Sequence, residues 1–165
     1  MKRRIKKIIT LWYTYLAKRS LNSYGEGLHV NKKSTFTRKT QIGKNCHFNG
    51  MSVRGKGSVK IGDNFHSGEE CIILTSNHNY DGGNAIPYDE TTIDKDVIIE
   101  DNVWIGTRVI ILGGVTLGEG CIIQAGSVVV KDVESCAIYG GAPANFIKKR
   151  NIEHYNELKK QGKFF

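Results

Sequence analysis

From Ile93 to Glu134 the chain divides into blocks of six, and the apolar positions fall at the same two places in every block. An aliphatic residue opens each one: Ile93, Ile99, Ile105, Ile111, Leu117, Ile123 and Val129. The fifth place takes only small or β-branched residues, namely Val97, Val103, Val109, Val115, Cys121, Ser127 and Val133. An amphipathic helix would repeat near 3.6 and a half-buried strand at 2, so a period of six fits neither. It fits a solenoid of short parallel strands, in which one coil cannot bury its own apolar row and stacked coils can. The first and fifth places then point inward. The pairs "GT", "GG", "GE" and "AG" between them make the corners, where glycine tolerates positive φ.

Upstream the pattern is weaker. Ile42 with Cys46, Phe48 with Ser52, Ile61 with Phe65 and Ser67 with Cys71 keep the spacing. The phase slips by one residue within "VRGKGSVK" and by two across "TSNHNYDGGNAIPYDETT", residues 75–92. That second stretch is polar and turn-rich, so it leaves the coil as a loop, the kind of position where a rigid scaffold carries binding and catalytic groups. The domain plan is a basic amphipathic helix over 1–22, an all-β repeat body over 23–147 with the loop 75–92, and a short basic helix over 148–165.

Charge changes the picture mainly at the N-terminus. Lys2, Arg3, Arg4, Lys6, Lys7, Lys18 and Arg19 supply seven of the net +8 with no acid among the first 22 residues, leaving +1 for the rest. A nearly neutral body argues against nucleic-acid binding. Ile5, Ile8, Ile9, Trp12 and Leu16 share one helical face, and the apolar run is too short to cross a bilayer. Two roles stay open for this helix: a cap on the exposed end of the solenoid, which is the preferred one, or a peripheral contact with anionic lipid at the inner face of the membrane. Of four cysteines, Cys46, Cys71 and Cys121 fall on the interior row, and no C-x-x-C pair occurs. No metal is expected, and a cytoplasmic setting is.

Four elements occur in order along the later coils: the Trp-Ile-Gly corner, "GVTLG", "GSVVVKD", and the closing "GGAPANFIKKR". In these the chain resembles the hexapeptide-repeat acyltransferases, above all the small sugar and polysaccharide O-acetyltransferases, over roughly residues 40–150. The resemblance implies an all-β, left-handed parallel β-helix with a protruding catalytic loop, assembled as a homotrimer with sites between subunits. It implies acetyl-CoA as co-substrate and His78 as the general base. An alcohol is a poor nucleophile until a positioned base takes its proton, and imidazole exchanges protons near neutral pH.

By the same resemblance the backbone N–H of Gly106 or Thr107 stabilises the developing oxyanion. Ala125, Gly126 and Ser127 lie along the pantetheine arm beside Trp104, while Lys131, Lys148, Lys149 and Arg150 are the cations for its phosphates. Asn49 matches in rough position an acceptor-binding Asn. The loop residues Tyr80, Asp81, Asn84, Tyr88 and Asp89 offer hydroxyl, carboxylate and aromatic groups to a polyhydroxylated ring. The remaining histidines, His29, His47, His66 and His154, read as solvated surface residues. The expected acceptor is a sugar or glycolipid hydroxyl. An amino-sugar amine, serine and a xenobiotic are the alternatives, and a non-enzymatic β-helix is disfavoured by the heterogeneous outward positions.

Overall fold

The computed structural model describes residues 2–165, with side chains from residue 4 onward. Its body is a three-faced parallel β-helix. The first face stacks β1 (Ser23–Tyr24), β3 (Thr40–Ile42), β5 (Val59–Ile61), β9 (Val97–Ile99) and β12 (Thr116–Leu117). The second stacks β2 (His29–Lys32), the first part of β4 (His47–Arg54), the first part of β6 (His66–Leu74), β10 (Trp104–Ile105), β13 (Ile122–Ile123) and β15 (Ala137–Gly141). The third continues β4 and β6 around the corner and adds β11 (Ile110–Leu112) and β14 (Val128–Val129).

The interior rows follow the hexad pattern. Ile42, Ile61, Ile99 and Leu117 line the first face inside, Val30, Phe48, Ile105 and Ile123 the second, and Val53, Ile73, Ile111 and Val129 the third, all buried. All seven fifth-place residues from Val97 to Val133 are buried as well. Two positions differ from expectation. Ser52 is only half-buried, because Met51 and Val53 take the inside places and shorten that block. The lost residue is more than recovered in the corner after Val53, which lengthens "VRGKGSVK". Ile93 is 42% exposed, so the unbroken array begins at Val97, four residues later than its spacing suggests.

The corners explain two residue choices. Asn45, Asn64 and Asn102 sit above one another with φ of 52°, 55° and 61°. Asn tolerates this left-handed region, and its side-chain amide bonds locally. Here it also bonds along the stack, from Asn45 Nδ2 to Asn64 Oδ1 at 3.0 Å and from Asn64 Nδ2 to Asn102 Oδ1 at 2.8 Å. Gly106 faces a different constraint, since a Cβ there would stand 2.5 Å from Ala125 N on the next coil.

The N-terminal helix α1 (Lys2–Ser20) does cover the open end of the coil, but not with the expected face. Thr14, Ala17 and Leu21 are buried and Tyr13 packs on the core, with Val30 N–H donating to Thr14 Oγ1 at 2.9 Å. Ile5, Ile8, Ile9, Trp12 and Leu16 point away from it and are exposed. At the other terminus β16 (Ala144–Lys149) pairs antiparallel with β15, and α2 spans only Ile152–Lys160. The expected helix over 148–165 is therefore shorter: Lys148 and Lys149 are strand, and Asn151 caps the helix by accepting from His154 N–H.

Candidate active site

The loop enters and leaves the coil at one residue pair. Thr75 is buried, its N–H and Oγ1 both donate to Arg54 O, and its own carbonyl accepts from Lys95 N–H at 2.8 Å. The loop therefore runs from Ser76 to Asp94, not 75–92. Its stem is a hairpin of β7 (Ser76–His78) and β8 (Thr92–Asp94). Ile73 and Ile111 are partners on adjacent coils yet 38 residues apart, whereas Ile111 and Val129 are 18 apart, so the insertion adds 20 residues at the edge between the third and first faces.

His78 ends the first stem strand and is exposed. Its ring stacks on Tyr88 with centroids 3.7 Å apart and planes 15° from parallel. That contact orients the imidazole, and among the described residues neither ring nitrogen has a hydrogen-bond partner. The loop shape around it is held by Asp89, whose carboxylate accepts from Asn84 N–H, Thr91 N–H and Thr91 Oγ1 at 2.9, 2.8 and 2.6 Å. These bonds, the Thr91 hydroxyl foremost, hold the Asp89 carboxyl below the usual carboxylate range. Asp89 is thus a clasp of the loop rather than a free group for an acceptor. Tyr80 and Asp81 are exposed near the tip, and the ladder of side-chain bonds through Asp96 and Asp132 brings Lys131 to the same edge.

The remaining predicted residues fall in two other places. Gly106, Thr107, Ala125, Gly126 and Ser127 stack at the edge between the second and third faces, as Gly126 N–H donating to Thr107 O at 2.8 Å makes plain. Gly106 N–H is already committed to Ile123 O at 2.8 Å, which removes it as an oxyanion donor and leaves Thr107. Ser127 is wholly buried, with its hydroxyl bonded to Gln124 O and Gly141 N–H, so its side chain offers nothing outward. Asn49 is also committed: Nδ2 donates to Ser67 O at 2.7 Å, and Oδ1 accepts from Asn31. It braces early coils near α1 and stands apart from the loop.

Trp104, Lys148 and Arg150 do meet, in a groove of 650 Å³ between the second face and the C-terminal segment. Trp104, Ile122 and Ile138 form its floor, and Leu158, Lys163 and Phe164 stand across it. Arg150 is fixed by Gly120 O at 2.9 Å and by the Tyr155 ring. Glu119 binds Tyr155 and Lys159 from the coil, anchoring α2. Burial alone would raise the Glu119 carboxyl. The bonds from Lys159, Tyr155 and Asn102 together outweigh it and hold the group below the usual carboxylate range.

One cluster escaped the sequence reading. His29, His47 and His66 are register partners on successive coils, with centroids 4.7 and 4.5 Å apart, and His66 and His47 are half-buried beneath the Phe165 ring. They are a stack, not three solvated side chains. Their spacing along the chain, 18 and 19 residues, was the available signal. Burial first, then the neighbouring His66 and His29, pushes His47 down to about 4. Among the described residues no three His, Cys, Asp or Glu side chains are arranged to hold a metal. All four cysteines are free and buried, and burial pushes Cys46 up to about 11 and Cys121 to about 12, so these thiols are poor nucleophiles.

Residues 96–131 match the bacterial transferase hexapeptide (six repeats) family. The chain is 39% identical over 112 residues to a probable macrolide acetyltransferase of Lysinibacillus sphaericus, covering 54% of this chain and 62% of that protein. It is 29% identical over 136 residues to the galactoside O-acetyltransferase of Escherichia coli, covering 81% and 60%. The chain thus spans less than two thirds of the length of these curated relatives. Among solved structures, a hexapeptide-repeat acetyltransferase of Vibrio cholerae complexed with acetyl coenzyme A superposes with a TM-score of 0.69 at 27% identity, over 88% of this chain and 83% of that one. A galactoside acetyltransferase in complex with coenzyme A shares the fold at a TM-score of 0.74 and 24% identity, over 93% and 83%. The chain is a hexapeptide-repeat protein with the left-handed β-helix fold of the acyltransferases it resembles.

Proposed function

We propose that the protein transfers an acetyl group from acetyl-CoA to a hydroxyl of a sugar-type acceptor, with His78 as the general base. The observation that carries this reading is the single large insertion in an otherwise continuous solenoid, which presents His78 on a stem strand with its ring oriented by Tyr88 and its nitrogens unengaged. An imidazole nitrogen of His78 takes the acceptor hydroxyl proton as the oxygen attacks the thioester carbonyl. The carbonyl oxygen gains negative charge and is met by the Thr107 N–H. The carbon–sulfur bond then breaks, and His78 returns the proton to the departing thiolate, giving free coenzyme A and the acetyl ester.

His78 and Thr107 stand on different edges of one chain, so a complete site needs a second copy. This supports a homotrimer, in which the loop of one subunit faces the Thr107 edge of its neighbour. The groove floored by Trp104 and flanked by Lys148 and Arg150 supplies an apolar wall and cations for the nucleotide end of coenzyme A. A xenobiotic acceptor is the second reading, favoured by the 39% identity to a relative named a probable macrolide acetyltransferase.

The test is thiol release from acetyl-CoA in the presence of a panel of sugars, glycolipids, nucleotide-linked amino sugars, macrolides and serine. Release with sugar hydroxyls, abolished in His78→Ala, is the expected outcome. Release only with amines or macrolides would overturn the sugar reading, and an unaffected His78→Ala would overturn the base. A monomeric mass in solution would overturn the shared site.

A further inference from the structure

The helix α1 carries two stripes, and only one of them is covered. Tyr13, Thr14, Ala17 and Leu21 lie against the first coil, where Thr14 Oγ1 accepts from Val30 N–H and Thr10 Oγ1 donates to Asn31 Oδ1 at 3.2 Å. The opposite stripe is apolar and open: Ile8 is 66% exposed, Leu11 60% and Trp12 58%, with Ile5, Tyr15 and Leu16 beside them. At 100° per residue these six span roughly 140° of the helix surface. Lys7 and Lys18 border the stripe on one side, and Arg4 and Arg19 fall within it at the two ends of the helix.

We propose that this stripe docks on an anionic lipid surface, so that the solenoid stands on its N-terminal end at a membrane. Three features on the helix favour lipid over another protein. The segment carries seven cations and no acid, while the rest of the chain is nearly neutral. A face-to-face contact between two copies would therefore crowd like charges, whereas anionic headgroups neutralise them. Trp12 and Tyr15 are aromatic residues with one polar tip, suited to the headgroup boundary. Lysines flanking an apolar stripe lay their stems along the hydrocarbon margin and keep their charges in the headgroup layer. No helix among the described residues is long and apolar enough to cross a membrane, so the contact lies in the interface plane. The covered stripe keeps its place on the coil throughout, which makes the docking independent of folding.

The experiment is flotation of the full chain with vesicles of phosphatidylcholine alone or mixed with phosphatidylglycerol, alongside mass in solution without lipid. The intact protein should partition on the anionic vesicles at least ~10-fold more strongly than on the neutral ones, and lose that preference near 0.5 M salt, where the screening length falls to a few ångströms. The Ile8→Glu, Trp12→Glu double variant should lose partitioning by ~100-fold or more while keeping its melting temperature, because neither side chain touches the coil. The Arg4→Gln, Lys7→Gln, Lys18→Gln triple variant should lose a similar factor on anionic vesicles only, at about 1 kcal/mol per cation. No partitioning by the intact protein, or partitioning unchanged in both variants, overturns the proposal. A larger assembly in lipid-free solution that the double variant dissolves overturns it too, since the stripe is then a contact between copies.

Discussion

The coils between Val97 and Val133 and the loop between Ser76 and Asp94 are neighbours in sequence built on opposite rules. In the coils every first and fifth place is buried, and the backbone is bonded to the coil above and below, as in Ile110 N–H to Ser127 O at 2.9 Å. In the loop no side chain from Ser76 to Asp94 is fully buried, Ile86 is 99% exposed, and order comes from a three-pair stem and the clasp at Asp89. The coil commits every first and fifth place to burial and leaves only its corners and outward positions for chemistry. The loop is anchored at its base, through Thr75 and Lys95 and through Lys56 bonding Ser76 and Thr92, so its interior is free to carry chemistry. Positions in the two regions should therefore respond oppositely to the same substitution.

The largest contrast is in stability. Ile111→Ala removes a fully buried side chain from a row that cannot collapse between stacked coils, and should cost about 3–5 kcal/mol. Ile86→Ala in the loop should stay within about 0.5 kcal/mol. Denaturant midpoints of the two variants measure this, and similar midpoints would erase the distinction.

In activity the order should reverse. His78→Ala should lower acetyl transfer by ~100-fold or more with an unchanged melting temperature. Tyr88→Ala, which removes the stacked ring, should lower turnover by ~10-fold, with Tyr88→Phe restoring it, because the phenyl ring keeps the stack without the hydroxyl. Equal losses in both Tyr88 variants would mean that the hydroxyl, not the stack, matters.

A third prediction concerns pH and the coil itself. The folded state holds His47 down to about 4, and burial lowers His66 as well, while the unfolded chain protonates histidine near 6.5. Between those values the unfolded state binds more protons, so stability rises with pH across that window and falls as pH drops from about 6.5 toward about 4. His47→Gln should flatten the melting temperature over this range. The depressed Glu119 carboxyl acts lower, its contribution being lost as pH falls through a folded pKa below the ordinary carboxylate value. An equally steep profile in His47→Gln would remove the stack as its cause.

The smallest effect is expected at the clasp. Asp89→Asn keeps one acceptor oxygen and weakens charge-assisted bonds to Asn84 and Thr91, so turnover should fall several-fold while global stability is unchanged. Limited proteolysis should then cut between residues 79 and 91 faster than in the parent chain. Unchanged cleavage would show that the stem alone holds the loop.

The hexad pattern was legible in the sequence because every coil must bury the same two places on a neighbour of identical geometry. That repetition named the interior from Ile99 to Val133, the corners at Gly106, Gly113, Gly118 and Gly126, and the departure of the loop that carries His78. Local pattern was silent wherever the answer lay between coils or between copies of a surface. The side of α1 that covers the coil is the one where Thr14 accepts from Val30 N–H and Ala17 is buried, while Trp12 stays exposed. The commitment of Gly106 N–H and the bracing role of Asn49 were set by partners one coil away. The stack of His29, His47 and His66 joins residues 18 and 19 apart, and only the winding of the chain makes them touch. A period in sequence fixes which residues face inward, since burial is a one-body demand. Which outward groups meet is a matter of distance between coils, and that is decided in three dimensions.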